Sequence, residues 1–89
     1  MKLINIGYGN LVNSSKVVSV VSPDAAPIKR LIQDTRDTGK LIDASSGKKT
    51  KSVIVADSGH IILSALNAET IQSRLNSETE NESGENDDE

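Results

Sequence analysis

The chain has 89 residues, with ten Lys or Arg, thirteen Asp or Glu, one His, and no Cys, Trp or Phe. A chain of this length forms at most one domain. Without cysteine it has no disulfide framework, no thiolate metal ligand and no cysteine nucleophile, and one histidine cannot build a multi-histidine metal site. No apolar run approaches the ~20 residues of a membrane-spanning helix, and no signal-peptide core is visible. We therefore expect a cytoplasmic protein without a cofactor.

The net charge of −3 combines two segments of opposite sign. Residues 77–89 carry seven acidic side chains and no basic or hydrophobic one. This acidic tail has no apolar surface whose burial could offset the entropy of ordering, so we predict that it is disordered. Residues 1–76 hold ten basic and six acidic side chains, a net charge of +4, and form the predicted domain.

The predicted domain is rich in Val, Ile and Leu but has a single aromatic residue, Tyr8. A domain of this size buries only ~60% of its unfolded surface. Small domains supplement a thin core with disulfides, metals or partner subunits. Because the first two are missing, we expect a homo-oligomer.

The first half of the chain predicts two strands and a helix. Residues 3–6 form a short strand that ends at a turn, Gly7-Tyr8-Gly9-Asn10. Residues 15–21 are rich in β-branched side chains on both faces of an alternating pattern, which predicts a strand buried on most of both sides. A helical repeat of apolar residues then follows Pro27, and Gly39 is its natural end.

The second half predicts three strands and a last helix. Residues 40–44 form a short strand, followed by a polar, basic loop at 45–51. Residues 52–56 and 60–66 read as a hairpin around a turn, Asp57-Ser58-Gly59. Asn67 is placed to cap a helix over 68–76. The predicted fold is α+β, a small, mostly antiparallel sheet with two short helices.

The basic loop is the most informative feature, because Lys48, Lys49 and Lys51 lie within four residues. Lysine binds phosphate as a compact point charge, and neutralised phosphates release condensed counterions, which drives DNA binding. A solvated turn whose charges only keep the loop in water explains the pattern equally well. The acidic tail likewise has two interpretations, a solubilising appendage or a competitor of DNA for the loop.

Other candidate sites favour structural roles. A phosphate-binding P-loop needs a Gly five positions before Gly47 and a Ser or Thr after Lys48, and neither is present. Gly7 and Gly9 lack the third glycine of a dinucleotide fingerprint, and His60 is best explained as stabilising its turn. Proteins that bind single strands stack bases on several aromatic rings, so this chain is better suited to the duplex backbone.

Three segments closely resemble the RemA family of bacterial extracellular-matrix regulatory proteins. They are INIGYGN at 4–10, VSPDAAPIKR at 21–30 and IQDTRDTGKLIDA at 32–44. The resemblance runs from about residue 2 to residue 75 and excludes the tail. It implies a small cytoplasmic, nucleoid-associated regulator that binds duplex DNA and activates biofilm-matrix genes. It also implies subunits similar to the LytTR type of DNA-binding domain, assembled in a ring-shaped homo-oligomer.

The resemblance also implies which residues bind DNA. Basic residues at the end of the strand after the GYGN turn and in the loop before the hairpin carry this role in the family, and here they are Lys16, Lys48, Lys49 and Lys51. In the family these positions are mostly Arg. Lys keeps the charge but lacks the planar fork that reads guanine, so phosphate attraction is expected to persist with reduced base readout.

Two functions of different classes follow from the sequence. The leading hypothesis is a non-enzymatic, oligomeric, duplex-DNA-binding regulator. The alternative is a structural, ring-forming protein-interaction module whose DNA affinity is incidental. A DNA mobility shift at physiological salt separates them, because the alternative predicts none.

Overall fold

Regular structure is distributed along residues 2–77, which are the residues that the computed structural model describes. Six strands, a short 3-10 helix and two α-helices follow in chain order there: β1 (Leu3–Asn5), β2 (Leu11–Asn13), the 3-10 helix (Ser14–Lys16), β3 (Val17–Val21), α1 (Ala26–Thr38), β4 (Leu41–Asp43), β5 (Ser52–Ala56), β6 (Ile61–Ser64) and α2 (Ala68–Asn76). The α+β class and both predicted helices are confirmed.

The strands form a two-stranded and a four-stranded sheet. β1 and β2 pair as an antiparallel hairpin. The larger sheet has the order β3-β5-β6-β4, in which β5 is antiparallel to both neighbours. β4 lies parallel to β6, with Ile42 opposite Ile62. The sheet is therefore mostly antiparallel, as predicted, with one parallel pair at its edge.

Alternation along the two middle strands builds a core on each face of the larger sheet. On one face Val53, Ile61 and Leu63 pack against the apolar side of α1. On the other face Ile54 and Ile62 pack against the N-terminal hairpin and α2. Successive side chains of a strand point to opposite faces, so the continuous apolar sequence of β5 and β6 serves both cores. The result is three layers, with the four-stranded sheet in the middle.

Two buried serines fasten the hairpin layer to the sheet. The Ser64 hydroxyl donates to the Ile6 carbonyl oxygen at 2.8 Å and accepts a hydrogen bond from the Leu66 backbone N–H at 3.0 Å. The Ser52 hydroxyl donates to the Leu66 carbonyl oxygen at 2.7 Å. Both serine side chains are fully buried, so each satisfies backbone groups that water cannot reach.

Local signals set the helix ends as predicted. Pro27 lies in the first turn of α1, and Gly39 ends the helix with a left-handed φ of +80°. The Asn67 side chain caps α2 by accepting a hydrogen bond from the Thr70 backbone N–H at 2.9 Å, and Glu69 lies in the first turn. Neither helix in this part of the chain is long and apolar enough to cross a membrane.

The N-terminal half differs from the sequence prediction in two places. Residues 11–13, for which no strand was predicted, form β2. The strand predicted over 15–21 begins only at Val17, and a β-bulge between Val17 and Ser19 breaks its alternation. The bulge leaves Val18 66% exposed, so the prediction of burial on most of both sides is wrong for this edge strand. The predicted acidic tail lies outside the described residues from position 78 onward.

Replacing Ser64 with Ala should lower the free energy of unfolding by about 2 kcal/mol. The change leaves the Ile6 carbonyl and the Leu66 N–H buried without a partner, and such groups cost ~1–3 kcal/mol. Urea unfolding at a fixed protein concentration measures the difference. Ser73→Ala on the exposed face of α2 is the control and should change stability by less than ~0.5 kcal/mol. Equal stability of the two variants would contradict the role given to Ser64.

Candidate nucleic-acid interface

The two ends of the four-stranded sheet carry different side chains. At one end β4 and β6 finish and β5 begins, and the loop at residues 44–51 connects β4 to β5 there. We call this the basic end. At the other end β5 turns into β6 through residues 57–60, and the 3-10 helix leads into β3. We call this the Lys16 end.

The loop at the basic end is held in shape by its own hydrogen bonds. The Asp43 carboxylate accepts from the Ser45 hydroxyl at 2.6 Å and from the Ser45 backbone N–H at 2.9 Å. A turn follows in which the Lys48 N–H donates to the Ser45 carbonyl oxygen at 3.0 Å. Its central residues, Ser46 and Gly47, have φ of +57° and +79°, which are the signs of a type I′ turn.

The three lysines of the loop extend from this ordered backbone into solvent. Lys48, Lys49 and Lys51 are all exposed, and the Lys51 backbone N–H is anchored by the Ser64 carbonyl oxygen at 2.9 Å. Among residues 2–77, no carboxylate lies within salt-bridge distance of their ammonium groups. Three cations are thus held together by a fixed loop without internal neutralisation, an arrangement that suits a polyanion.

Hydrogen bonds from Ser45 lower the pKa of Asp43 below its ordinary value of 3.8, with a smaller contribution from the positive charge of Arg36. Its partial burial acts in the opposite direction and is outweighed. The ionised carboxylate is therefore the form that orders the start of the loop.

The turn at residues 7–10 lies beside the loop. Its backbone closes with the Asn10 N–H donating to the Gly7 carbonyl oxygen at 3.0 Å, and Gly7 packs so closely on Leu66 that an added Cβ would lie 3.3 Å from the Leu66 Cγ. The Asn10 amide reaches the Ala44 carbonyl oxygen at 3.4 Å. A strand and not a helix follows the two glycines, as expected for a turn and not for a dinucleotide fingerprint, and the close contact with Leu66 gives Gly7 a structural role.

Lys16 does not join the three loop lysines within one subunit. Sequence reasoning placed it on a strand, but it is the last residue of the 3-10 helix, which Asn13 caps by accepting from the Ser15 N–H at 3.0 Å. It lies at the opposite end of the sheet, separated from the basic end by the length of β5, ~13 Å at ~3.3 Å per residue. Its ammonium approaches the exposed Asp57 carboxylate at 3.9 Å.

Helix α1 adds cations at the basic end. It starts where β3 ends, so Lys29 and Arg30 in its first half lie toward that end, while Asp34 and Asp37 lie toward the other. The placement of these four residues is the reverse of what the helix dipole favours, which is acids near the N-terminus and bases near the C-terminus, whereas Arg36 in the last turn agrees with the dipole. The sequence shows both basic residues, but their position relative to the loop depends on the order of the strands.

The single histidine has the structural role predicted for it. The Ser58 hydroxyl lies 2.6 Å from His60 Nδ1, and both belong to the turn between β5 and β6. The nearby Asp57 carboxylate faces Lys16 instead of the imidazole. Residues 2–77 contain no group of three or more His, Cys, Asp or Glu side chains that could hold a metal ion.

Comparison with known proteins gives one family and many relatives. The sequence model of the RemA-like family, described as extracellular matrix regulatory protein A-like, matches residues 3–75. A protein of Geobacillus kaustophilus is 56% identical over 75 residues, covering 84% of this chain and 86% of the relative. One from Alkaliphilus metalliredigens is 58% identical over 81 residues, covering 91% and 87%. Both relatives carry provisional names as regulatory proteins.

Replacing Asp43 with Asn should destabilise the protein near neutral pH but not in strong acid. The folded protein holds the Asp43 proton more weakly than the unfolded chain does, because the pKa of Asp43 is lowered in the fold. The stabilisation is therefore complete above the ordinary value of 3.8 and is lost as the pH falls through the lower, folded pKa. Urea unfolding from pH 7 down to pH ~3 measures the gap, which is the difference in unfolding free energy between the unmodified protein and Asp43→Asn.

The control for this pH series is Asp34→Asn, which removes an exposed carboxylate from α1. A gap that narrows in acid for Asp43→Asn alone supports the anchoring role of Asp43. The same pH-dependent gap in both variants would assign the effect to net charge.

Proposed function

Because the chain belongs to the RemA-like family, we propose that it is an oligomeric regulator that binds duplex DNA. The loop at the basic end makes the main phosphate contacts through Lys48, Lys49 and Lys51. The observation that carries this proposal is the fixed turn that holds three exposed ammonium groups without a carboxylate partner among residues 2–77. The regulatory names of the relatives agree with it.

The chemistry of the loop favours phosphate over base edges. Each lysine that neutralises a phosphate releases condensed counterions, which gives affinity that is independent of sequence and falls with salt. Lysine lacks the fork with which arginine binds guanine at two points. Sequence preference then comes mainly from the shape and flexibility of the duplex.

Lys16 serves as a second contact in this proposal. The Lys16 carbonyl oxygen accepts a hydrogen bond from the Asp57 backbone N–H, and Asp57 lies six residues after Lys51, or ~20 Å away along extended chain at ~3.3 Å per residue. One subunit can therefore contact phosphates at two separate places on the duplex, with the loop at one and Lys16 at the other. The loop lysines and Lys16 then bind the same duplex, although they lie at opposite ends of the sheet.

Oligomerisation gives these contacts their strength. A few exposed lysines bind DNA weakly, but linked copies raise the overall affinity by orders of magnitude. A ring of LytTR-like subunits, in which successive basic ends line one surface for a bent duplex, is the assembly we propose. Exposed apolar side chains supply candidate subunit contacts: Leu3, Leu11, Val18 and Ile42.

The regulatory consequence is part of the same proposal. We propose that the protein activates extracellular-matrix genes and acts in the cytoplasm, at the nucleoid. The acidic tail contributes seven negative charges that compete with DNA for the basic end or keep the assembly in solution. DNA affinity measured at several salt concentrations, with and without residues 77–89, separates these two roles.

A second candidate is a ring-forming module that binds another protein. The exposed apolar side chains favour it, since Leu3 and Leu11 on the hairpin are more than half exposed and apolar patches mark interaction surfaces. In that case an acidic protein contacts the loop. A mobility shift with duplex DNA at physiological salt decides between the two, because only the first candidate produces one.

Replacing Lys48 and Lys49 together with Ala should raise the Kd for duplex DNA at least tenfold, or ~1.4 kcal/mol. The dependence of binding on salt should flatten, because each lost phosphate contact removes ~0.9 from the slope of log K against log salt. Fluorescence anisotropy at four salt concentrations measures both effects, and light scattering checks that the oligomer is unchanged.

Single substitutions provide the matched control for the loop. Lys48→Ala and Lys40→Ala each remove one exposed lysine, but Lys40 precedes β4 at the end of the sheet opposite the loop. The loop variant should weaken binding clearly more than Lys40→Ala does. Equal losses would attribute the effect to total charge and remove the loop from the mechanism.

Replacing Asp57 with Asn should tighten DNA binding about two- to threefold at low salt, because it releases Lys16 from a competing carboxylate. The change in unfolding free energy should stay within ~0.5 kcal/mol, since exposed ion pairs contribute little. Asp34→Asn is the control for net charge. A gain that persists in the double variant Lys16→Ala/Asp57→Asn would contradict a DNA contact by Lys16.

A further inference from the structure

Tyr8 occupies a backbone conformation that its side chain disfavours. Its φ is +55°, between Gly7 at +109° and Gly9 at +76°. Glycine adopts this left-handed region freely, whereas a bulky side chain there is an outlier that the surrounding structure must enforce. Asn-Gly is the pair preferred at the centre of such turns, so a tyrosine before Gly9 costs stability.

The fold covers only part of this residue. Tyr8 is 39% exposed and is not among the side chains that form the two cores. Among residues 2–77 its hydroxyl makes no hydrogen bond. Residues held in strained backbone conformations concentrate at functional sites. The ring is therefore available to a group outside the subunit.

The strained turn lies against the basic loop. The Asn10 amide hydrogen bond to the Ala44 carbonyl oxygen, at 3.4 Å, joins the end of one to the start of the other. The two turns have the same form, because each has positive φ at both central residues and each closes with a 3.0 Å hydrogen bond between its first and fourth residues. Tyr8 and Ser46 are equivalent positions in these neighbouring turns.

We propose that Tyr8 is a further DNA contact, whose phenol hydroxyl donates to a phosphate oxygen while its ring lies against the adjoining sugar. This inference rests on the proposed function of the loop. Tyrosine is among the side chains that bind the sugar-phosphate backbone, and the loop lysines bring the phosphates to this end of the sheet. The positive charge at the basic end repels the basic end of a second copy. A second copy is therefore disfavoured as the group that contacts the aromatic ring of Tyr8.

The sharpest test replaces Tyr8 with Asn, which removes the ring and installs the preferred pair before Gly9. We expect unfolding in urea to require an equal or higher denaturant concentration, while the Kd for random-sequence duplex DNA rises about fivefold and the oligomer mass stays the same. Tyr8→Phe removes only the hydroxyl. It should raise the Kd about half as much as Tyr8→Asn does, on a logarithmic scale. The opposite signs for stability and binding distinguish a contact residue from one that merely supports the fold.

The control is Thr38→Asn, which also places an asparagine before a glycine but at the exposed C-terminal end of α1, at the end of the sheet opposite the loop. It should change the Kd by less than twofold. A second readout uses the fact that Tyr8 is the sole tyrosine. Incorporated 3-fluorotyrosine gives one fluorine resonance, which should shift when duplex DNA is added and should shift less in the Lys48→Ala/Lys49→Ala variant.

The outcomes separate this inference from the proposed function. Unchanged DNA affinity of Tyr8→Asn, with a clear loss for Lys48→Ala/Lys49→Ala, overturns the Tyr8 contact and leaves the function of the loop standing. Dissociation of the oligomer by Tyr8→Asn also overturns it, because the ring then belongs to a subunit interface. Absence of DNA binding by the unmodified protein overturns both.

Discussion

The parallel pairing of β4 with β6 is the constraint on which the position of the basic loop depends. The chain leaves β4 at the edge of the sheet and must reach β5 on the far side of β6, two strand spacings or ~10 Å away. A two-residue hairpin cannot make that connection, because β4 and β5 are not neighbours. The eight-residue crossing passes over the end of β6 and carries Lys48, Lys49 and Lys51 with it.

Hydrogen bonds from two buried serines hold the N-terminal hairpin at the same end of the sheet as the loop. Ser64 and Ser52 bind backbone carbonyls that no strand pairing satisfies, and this fixes Ile6 and Leu66 beside the loop. A hydroxyl in an apolar core is tolerated only when its hydrogen bonds are made. These serines therefore fix the positions of the backbone groups that they bind, in addition to stabilising the fold. The hairpin turn and the loop are consequently neighbours, although more than thirty residues separate them in the sequence.

Local signals predicted most elements and long-range pairing decided the rest. Pro27 and Gly39 bracket α1, and the turn at 57–59 defines the hairpin of β5 and β6, because each signal acts within a few residues. β2 forms through its pairing with β1 across the turn at residues 7–10, and the bulge at Val18 arises in the pairing of β3 with β5. The sequence identifies four candidate lysines, but the separation of Lys16 from the other three depends on strand order, which short-range patterns do not contain.

The bulge at Val18 has a consequence for how copies of this protein accumulate at high concentration. An outer strand with a regular ladder is a template on which further chains deposit without limit, as in amyloid. The interrupted β3 offers no such template, and β4 on the other edge is only three residues long. The edge strands therefore do not favour unlimited strand pairing, and contacts between copies would instead form through side chains and could be finite and reversible.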